Sequence, residues 1–195
     1  MPRQERAERS RASILEAAAD EFDQHGYAGA RLERIVERTG LTKGAVYFHF
    51  RSKLDLAKAL VVEKYGNWPA IVAEIDASGL RGVEAAAELT RRVGAVFASD
   101  VRVRAAMALS QTILPPGPDA DPYDHWVEVV AGYLEQEEGE LPRGLSPREV
   151  AVVAVQGFFG AYMIAAERGR LDGLPADIDR LWRALGALAT APKGT

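Results

Sequence analysis

Cysteine is absent from this chain of 195 residues, and histidine occurs only three times. Without cysteine the chain cannot form a disulfide, a thiolate nucleophile or a cysteine-ligated zinc site. His25, His49 and His125 do not match the spacing of a metal-binding motif, and the acidic residues near His125 fit the start of a helix better than a metal site. The sequence also lacks a nucleophile elbow, a phosphate loop and a dinucleotide-binding motif. We therefore expect no enzyme, no metal and no cofactor.

Long uninterrupted apolar runs are missing as well. Met1 is followed by charged residues rather than by the apolar run of a signal peptide. The most apolar stretch, residues 150–166, is interrupted by Gln156, Gly157 and Gly160. This makes it too short and too broken for a membrane span, and we expect a buried helix. Together with the missing cysteine, these features favour a protein of the reducing cytoplasm.

Positive charge is scarce in most of the chain. The net charge is −4, which alone argues against a nucleic-acid partner. Residues 1–58, however, hold 11 Lys/Arg against 9 Asp/Glu, whereas residues 59–195 hold 13 against 19. The first segment concentrates four arginines, at Arg3, Arg6, Arg9 and Arg11. This distribution indicates that only the first segment approaches phosphates. The alternative is a frayed terminus whose arginines are simply exposed to water.

Three helices are predicted near the start of the chain. Apolar residues recur at helical spacing over residues 10–25, and Gly26 ends that helix. A short second helix covers residues 32–39, and Gly40 turns the chain towards a third helix that Thr42 can cap. Two short helices joined by a tight turn and braced by a longer helix make a helix-turn-helix.

The third predicted helix has two different faces. Val46 and Phe50, four residues apart, point inward. The outer face carries small or hydrogen-bonding residues that suit a DNA major groove: Thr42, Lys43, Gly44, Tyr47 and His49. The alternative is an ordinary surface helix with scattered aromatic residues. Phe48 is ambiguous, since it fits either a core contact or a contact with a DNA sugar.

The remainder of the chain is predicted to be helical throughout. Ser52 starts a fourth helix whose first turn brings Arg51 and Lys53 to positions where they can hold phosphate. Pro69 kinks or interrupts that helix. Further helices are predicted at residues 83–99, at residues 101–114, from Pro122 onward, from the capping box that begins at Ser146, and at residues 176–188.

The segment from Ile14 to Lys58 resembles the DNA-binding domain of the tetracycline-repressor family. The resemblance is carried by Leu41-Thr42-Lys43-Gly44-Ala45-Val46-Tyr47-Phe48-His49-Phe50 and by Ser52-Lys53. The same motif, the opening Arg3-Gln4-Glu5-Arg6-Ala7 and a tryptophan after a proline-rich loop resemble, more narrowly, the γ-butyrolactone receptors of streptomycete-type bacteria. The resemblance implies an all-α protein. Its N-terminal three-helix DNA-binding domain would cover residues 1–52, and its helical ligand-binding and dimerisation domain residues 53–195.

The resemblance also implies a cytoplasmic homodimer that represses transcription. Two reading helices would enter successive major grooves about 34–36 Å apart on a near-palindromic operator. By matching positions, the residues implied to contact DNA are Arg3, Thr42, Lys43, Gly44, Ala45, Tyr47, His49 and Lys53. Lys43 is the best candidate for reading a guanine edge, because its ammonium can donate to O6 and N7.

The receptors that the chain resembles are released from DNA by a small, mostly apolar γ-butyrolactone-type signal. The residues implied to bind it are Leu109, Trp126, Val130, Gln156, Phe158 and Ala161. Judged without the resemblance, Trp126 is a core residue, and Gln156 fits a dimer interface as well as a ligand. Ala161 stands where related receptors often have threonine, so one hydroxyl is missing and the identity of the signal is open.

The two most apolar C-terminal helices resemble the pair that forms the four-helix dimer interface of the family. The residues implied to lie in that interface are Phe159, Met163, Leu181, Trp182 and Leu185. An alternative function stays open at this point. The chain could be a DNA-binding pseudo-receptor of the same family that answers a different small molecule or none.

Overall fold

The computed structural model describes residues 3–65, 68–113, 122–136, 141–142 and 144–190. Within these ranges the chain forms α-helices and one 3-10 segment, and no β-strand. The all-α prediction is therefore confirmed. In chain order the helices are α1 (Arg3–Gly29), α2 (Leu32–Thr39), α3 (Lys43–His49), α4 (Lys53–Tyr65), α5 (Trp68–Ser78), α6 (Gly82–Ser99), α7 (Val101–Ile113), α8 (Pro122–Leu134), α9 (Pro147–Glu167) and α10 (Leu174–Thr190), with the 3-10 segment at Leu171–Gly173.

The helices group into two compact units. The first unit comprises Met1–Trp68 and Asp100–Pro116, and it contains α1–α4 and α7. The second unit comprises Pro69–Ser99 and Gly117–Thr195, and it contains α6, α8, α9, α10 and nearly all of α5. The first unit is larger than the predicted DNA-binding domain of residues 1–52, because α4 and α7 pack against α1. The functional boundary after residue 52 stays a prediction.

The core of the first unit is built on one face of α1. Ile14, Leu15, Ala18 and Phe22 recur at helical spacing, and each is at most 1% exposed. Full burial of a side chain such as Phe22 contributes about 1.5–3 kcal/mol. Leu109 of α7 is buried in the same core. The prediction that Leu109 contacts a ligand is corrected accordingly, since its side chain packs in the core of the first unit.

The predicted ends of the first two helices agree with the backbone. α1 begins earlier than predicted, but its regular geometry breaks at Gly26, where φ is 61° and ψ is 177°. α2 spans the predicted residues and ends at Gly40, which has φ 65° in the left-handed region. A side chain at Gly40 would be strained, so glycine is what lets the chain turn tightly into α3.

Two close approaches define the core of the second unit. α10 packs against α6 at Gly94, where an added Cβ would lie 2.3 Å from Ile178 Cδ1. It packs against α9 at Gly157, where an added Cβ would lie 2.7 Å from Leu181 Cδ2. The side chains of Ile178 and Leu181 on α10 therefore lie directly against the glycines of the two neighbouring helices.

Helix α5 was not predicted. The predicted interruption near Pro69 is present, since α4 ends at Tyr65 and a separate helix begins at Trp68. Pro69 lies in the first turn of this new helix. Proline is tolerated there, because the first N–H groups of a helix have no partner within it. The side chain of Ile75 anchors α5, being 0% exposed.

Helix α9 starts as predicted, but it is buried on one face only. The Ser146 side chain accepts a hydrogen bond from the Glu149 N–H, and the Glu149 carboxylate accepts one from the Ser146 N–H, so the capping box is present. Among the described helices, α9 is the one long and apolar enough to cross a bilayer by length and composition. It packs on α6, α8 and α10, and residues on one face of it are buried.

Candidate DNA-binding surface and ligand cavity

Helix α3 is fixed at its start and on its inner face. The Thr42 hydroxyl accepts a hydrogen bond of 3.2 Å from the Ala45 N–H, which satisfies one of the unpaired donors at the helix start. Val46 is 0% exposed and Phe50 is buried, so both side chains lock α3 onto the core of the first unit. The two anchors determine which residues are left to face outward.

The outward face of α3 holds most of the residues implied to contact DNA. Thr42, Lys43 and Gly44 are exposed, and an added Cβ at Gly44 would meet nothing within 4 Å. Tyr47 is 38% exposed, and the Lys43 ammonium lies 5.8 Å from the centre of its ring. This spacing allows a cation–π contact that orients the lysine. The surface thus presents a cation, a phenol and a hydroxyl beside open backbone.

Two further positions on α3 are half-buried, and one is fully open. Ala45 and His49 are intermediate in exposure. Phe48 is 81% exposed, with its ring edge-on to His49 at a centroid distance of 5.3 Å. The open question about Phe48 is therefore resolved, because its side chain takes no part in the core.

The structure describes the side chain of Lys53 but not that of Arg3. The Lys53 ammonium donates to the carbonyl oxygens of Tyr27, Ala28 and Ala30 at 2.7, 3.4 and 3.0 Å, and it lies 4.6 Å from the centre of the Tyr27 ring. Lysine at the end of a helix satisfies its last carbonyls in this way. A phosphate contact by Lys53 stays a prediction and requires the ammonium to share these partners. Arg3 begins α1, and its side chain lies outside the described residues.

Sequence reasoning missed the buried carboxylate that holds α2 in place. Glu21 of α1 is 0% exposed, and its Oε1 accepts hydrogen bonds from the Arg31 N–H at 3.1 Å and from the Arg34 guanidinium at 3.4 Å. The Arg38 guanidinium lies 3.9 Å from Oε2. Because Arg31 immediately precedes α2, the carboxylate satisfies a donor at the start of that helix. The available signal was a charged residue at helical spacing among the buried positions of α1.

The second unit contains a narrow cavity with an almost entirely apolar wall. It encloses about 290 Å³ not filled by protein atoms, part of it open to solvent. The closed part has room for about one water molecule. Its lining residues come from α6, α8 and α9: Thr90, Val93, Phe97, Trp126, Val155, Phe158 and Phe159. The rings of Phe97 and Phe158 meet edge-to-face at 5.5 Å, and those of Phe158 and Phe159 at 5.4 Å.

The cavity includes only part of the implied ligand set. Trp126 and Phe158 line it as implied, whereas Val130 is buried in the core without lining it. Gln156 is exposed and Ala161 is half-buried, and neither lines the cavity. The prediction for Gln156 therefore needs correction, since it lies on the opposite side of α9 from Phe158.

The residues implied to form the dimer interface differ in where their side chains lie. Met163 is 65% exposed and Leu181 is half-buried. Trp182 and Leu185 are 6% and 7% exposed, so their side chains pack within the second unit instead of facing outward. Phe159 lines the cavity. On the described parts of α9 and α10, the large apolar side chains that are exposed are Val153, Met163, Ile164 and Leu188. Sequence reasoning identified only Met163 among them.

Comparison with known proteins identifies the family of this chain. Residues 14–60 match the family described as bacterial regulatory proteins, tetR family. In an alignment of 191 residues that covers 94% of this chain, the chain is 33% identical to the A-factor receptor protein of Streptomyces griseus. It is also 30% identical to TylP, a tetR regulator from Streptomyces fradiae, over 94% of this chain and 80% of TylP, with a TM-score of 0.56. The chain belongs to the tetR family. It spans 64% of the length of that Streptomyces griseus receptor.

Two solved structures superpose on most of this tetR-family chain. The tetR-family protein CprB from Streptomyces coelicolor, solved in complex with its biological operator sequence, superposes with a TM-score of 0.78 at 29% identity, covering 92% of this chain and 88% of CprB. A γ-butyrolactone receptor described as an ArpA-like protein gives a TM-score of 0.73 at 27% identity, covering 92% and 99%. This chain is therefore similar to γ-butyrolactone receptors and belongs to a family of bacterial regulatory proteins.

Within this tetR-family chain, the contribution of α6 to the cavity was not anticipated. Thr90, Val93 and Phe97 follow one another at spacings of three and four residues, so they share one face of α6. The spacing was visible in the sequence, but it indicates only a buried face. It does not say whether that face meets another helix or an opening.

Proposed function

We propose that this tetR-family regulator is a homodimeric repressor that binds a near-palindromic operator and is released from it by a small γ-butyrolactone-type signal. The single observation that carries the proposal is the outward face of α3. There Lys43 and Tyr47 stand beside the open backbone of Gly44 on a helix anchored by buried Val46. A helix presenting donors from a rigid support is what groove reading requires.

In the proposed complex, residues 1–52 read DNA. Lys43 donates to a guanine edge, and the Tyr47 hydroxyl and Thr42 hold the adjacent phosphates. Ala45 and His49 line the same face, and exposed Phe48 packs against sugar or a thymine methyl group. Arg3, at the start of α1, adds a phosphate contact from the arm. Such contacts depend on salt, because each neutralised phosphate releases counterions.

The proposed dimer is formed by α9 and α10, which belong to residues 53–195. Val153, Met163 and Leu188 are 42%, 65% and 60% exposed, and single helices with such apolar faces are expected to pair with their copies. Two-fold symmetry then sets two copies of α3 about one helical turn of DNA, about 34–36 Å, apart. Since the operator lies on DNA, we place the regulator in the cytoplasm.

The proposed effector site is the cavity of the second unit, with Trp126 and Phe158 along an apolar ligand. The closed cavity has room for about one water molecule, so binding a lactone requires side chains in the wall to move. That requirement supports a ligand which stabilises a second conformation of the unit. A hundredfold loss of operator affinity corresponds to a difference of about 2.7 kcal/mol in ligand binding between the two conformations.

The narrowness of the cavity also favours a second candidate. A pseudo-receptor of the same family would answer a smaller molecule or none, and neither Gln156 nor Ala161 supplies a polar group to the cavity wall. The two candidates share the proposed DNA-binding surface. They differ in whether an alkanoyl γ-butyrolactone releases the operator.

Gel-shift titration against DNA from the regulator's own upstream region tests the proposal. We expect Lys43→Ala to weaken operator binding by about 1–3 kcal/mol, because one base contact is lost. Lys58→Ala is the matched control, since Lys58 is exposed on α4 and lies off the face of α3. Equal binding of operator and unrelated DNA by the wild-type protein at moderate salt would contradict the proposal. Release by the lactone separates the receptor from the pseudo-receptor.

A further inference from the structure

One end of the cavity wall is joined to α10 by a buried hydrogen bond. Thr90 of α6 lines the cavity and is 4% exposed. Its Oγ1 accepts a hydrogen bond of 2.7 Å from Nε1 of Trp182 in α10. The same hydroxyl lies 2.9 Å from the carbonyl oxygen of Ala86 and 3.0 Å from that of Ala87, to one of which it donates. Trp182 is 6% exposed, so both partners are shielded from water.

Among the described residues that line this cavity, only Thr90 has a side-chain oxygen. A threonine hydroxyl has one proton to donate and two lone pairs to accept, whereas an indole nitrogen can only donate. With the proton given to the α6 backbone and one lone pair taken by Trp182, one lone pair is left. An effector oxygen that reaches this end of the cavity must either donate to that lone pair or draw the Thr90 proton away from the backbone carbonyl.

Helix α10 has little freedom to absorb a change at Thr90. One turn further along α6, the Ile178 side chain of α10 fills the space that a side chain at Gly94 would need, since an added Cβ would lie 2.3 Å from Ile178 Cδ1. On its other side, α10 meets α9 at Gly157, beside Leu181. Closely packed interiors transmit small displacements instead of absorbing them. Any movement of the Thr90 wall is therefore passed to α10.

We propose that the Thr90–Trp182 pair recognises the polar end of the effector and couples its arrival to α10. The Thr90 hydroxyl meets a hydroxyl or carbonyl oxygen on a mostly apolar effector, and the altered hydrogen bond to the Trp182 indole carries the signal to α10. Thr90 is the specificity-determining residue, and Trp182 is a positioning residue that acts through it. The inference rests on the proposed function, in which this cavity is the effector site.

The indole N–H groups give a direct readout. The chain has three tryptophans, so an ¹⁵N-labelled full-length sample shows three indole resonances, which Trp68→Phe, Trp126→Phe and Trp182→Phe variants assign. We expect an alkanoyl γ-butyrolactone to shift the Trp126 resonance by contact and the Trp182 resonance through Thr90. In Thr90→Val the Trp182 resonance moves upfield and stops responding to the lactone. Thr90→Ser, which keeps the hydroxyl, preserves the response.

Release of operator DNA gives the functional readout. We expect Thr90→Val and Trp182→Phe each to raise the lactone concentration for half-release at least tenfold, equivalent to about 1.4 kcal/mol. The double variant should need no higher a lactone concentration than the more strongly affected single variant, because both substitutions remove the same hydrogen bond. Thr112→Val is the matched control. Its hydroxyl makes the same kind of bond, to the Ala108 carbonyl at 3.0 Å, but it lies on α7 of the first unit.

The outcomes separate this inference from the proposed function. A Trp126 resonance that moves while Trp182 stays fixed overturns the coupling pair and leaves the cavity as the effector site. If neither resonance responds to saturating lactone, the proposed effector class fails, and the inference fails with it. Once the three resonances are assigned, the response of the wild-type spectrum decides between these cases, so the test does not depend on the folding of any Thr90 variant.

Discussion

At the scale of single residues, Glu21 decides how α2 is held against α1. Its carboxylate is 0% exposed, yet Arg34 and Arg38, which face it, are 43% and 37% exposed. The carboxylate is thus fully buried, whereas its arginine partners remain in contact with solvent. Removing only one partner of such a pair leaves the remaining groups poorly satisfied, which costs more than the pair itself contributes.

We expect Glu21→Gln to lower the free energy of unfolding by about 1–3 kcal/mol, because the amide keeps the size of the side chain but loses its charge-assisted bonds. Urea denaturation, monitored by circular dichroism, measures the change in the free energy of unfolding. Glu16→Gln on the same helix is the control, since Glu16 is 68% exposed and pairs with Arg102 at 3.8 Å. An exposed pair of that kind contributes about 0–1 kcal/mol. Equal effects of the two variants would show that the burial of Glu21 has no energetic consequence.

Tyr133 predicts a loss of stability at high pH. Burial, followed by the hydrogen bond to Asp76 at 2.8 Å and the negative charge of that carboxylate, raises the pKa of Tyr133 to about 12. An unfolded tyrosine ionises with a pKa of about 10. Between pH 10 and 12 the unfolded chain therefore loses a proton that the folded protein keeps, so folding stability falls as the pH rises.

Two pKa units correspond to about 2.7 kcal/mol at most. Urea denaturation at about pH 9 and 11, compared between wild type and Tyr133→Phe, isolates this contribution from other groups that titrate in the range. The phenylalanine variant should show the smaller drop between the two conditions. A drop of the same size in both proteins would mean that Tyr133 titrates normally.

At the scale of elements, the sequence specified best those helices whose ends carry their own signals. The bounds of α2 follow from Gly40, and the start of α9 follows from Ser146 and Glu149, because a cap involves residues within one turn of each other. Helix α5 was missed because Pro69 both interrupts helices and starts them. Local residues alone do not decide between these roles.

The candidate site was predicted unevenly for a physical reason. The outward face of α3 follows from the positions of buried Val46 and Phe50 on one short helix. Trp182 and Leu109, by contrast, were assigned to an interface and a ligand although both side chains are buried in the core of their own units. Helical periodicity tells which residues share a face. It cannot tell which of several apolar neighbours covers that face.

The contact between α6 and α10 leads to a prediction about packing. We expect Gly94→Ala to destabilise the protein by about 1–3 kcal/mol, because its Cβ would lie 2.3 Å from Ile178 Cδ1, and Ile178 is 0% exposed and cannot move freely. Gly132→Ala on α8 is the control, since its Cβ meets nothing within 4 Å. That change should stabilise α8 by about 0.5–1 kcal/mol through higher helix propensity. Thermal unfolding measures both, and opposite signs are expected.

At the scale of the whole molecule, DNA binding and ligand response depend on the proposed dimer. Helix α3 has only seven residues, of which Val46 is buried, and in the proposed complex two copies held at fixed spacing read a near-palindromic operator. There, phosphates would repel the acidic residues 59–195, whereas residues 1–58 carry a small positive excess. The proposed recognition therefore combines a short reading surface with a dimer contact outside it.

Met163→Glu tests this dependence. Met163 is 65% exposed on α9, so a charge there leaves the packing of one chain intact but places two carboxylates in the proposed two-fold contact, where like charges repel. We expect sedimentation velocity to change from dimer to monomer, and operator affinity to fall at least a hundredfold, about 2.7 kcal/mol, although α3 is unaltered. Val62→Glu, at a residue of α4 that is 71% exposed, should remain dimeric. A Met163→Glu protein that stays dimeric and binds the operator normally would place the dimer contact elsewhere, whereas a monomer with full affinity would show that one reading helix suffices.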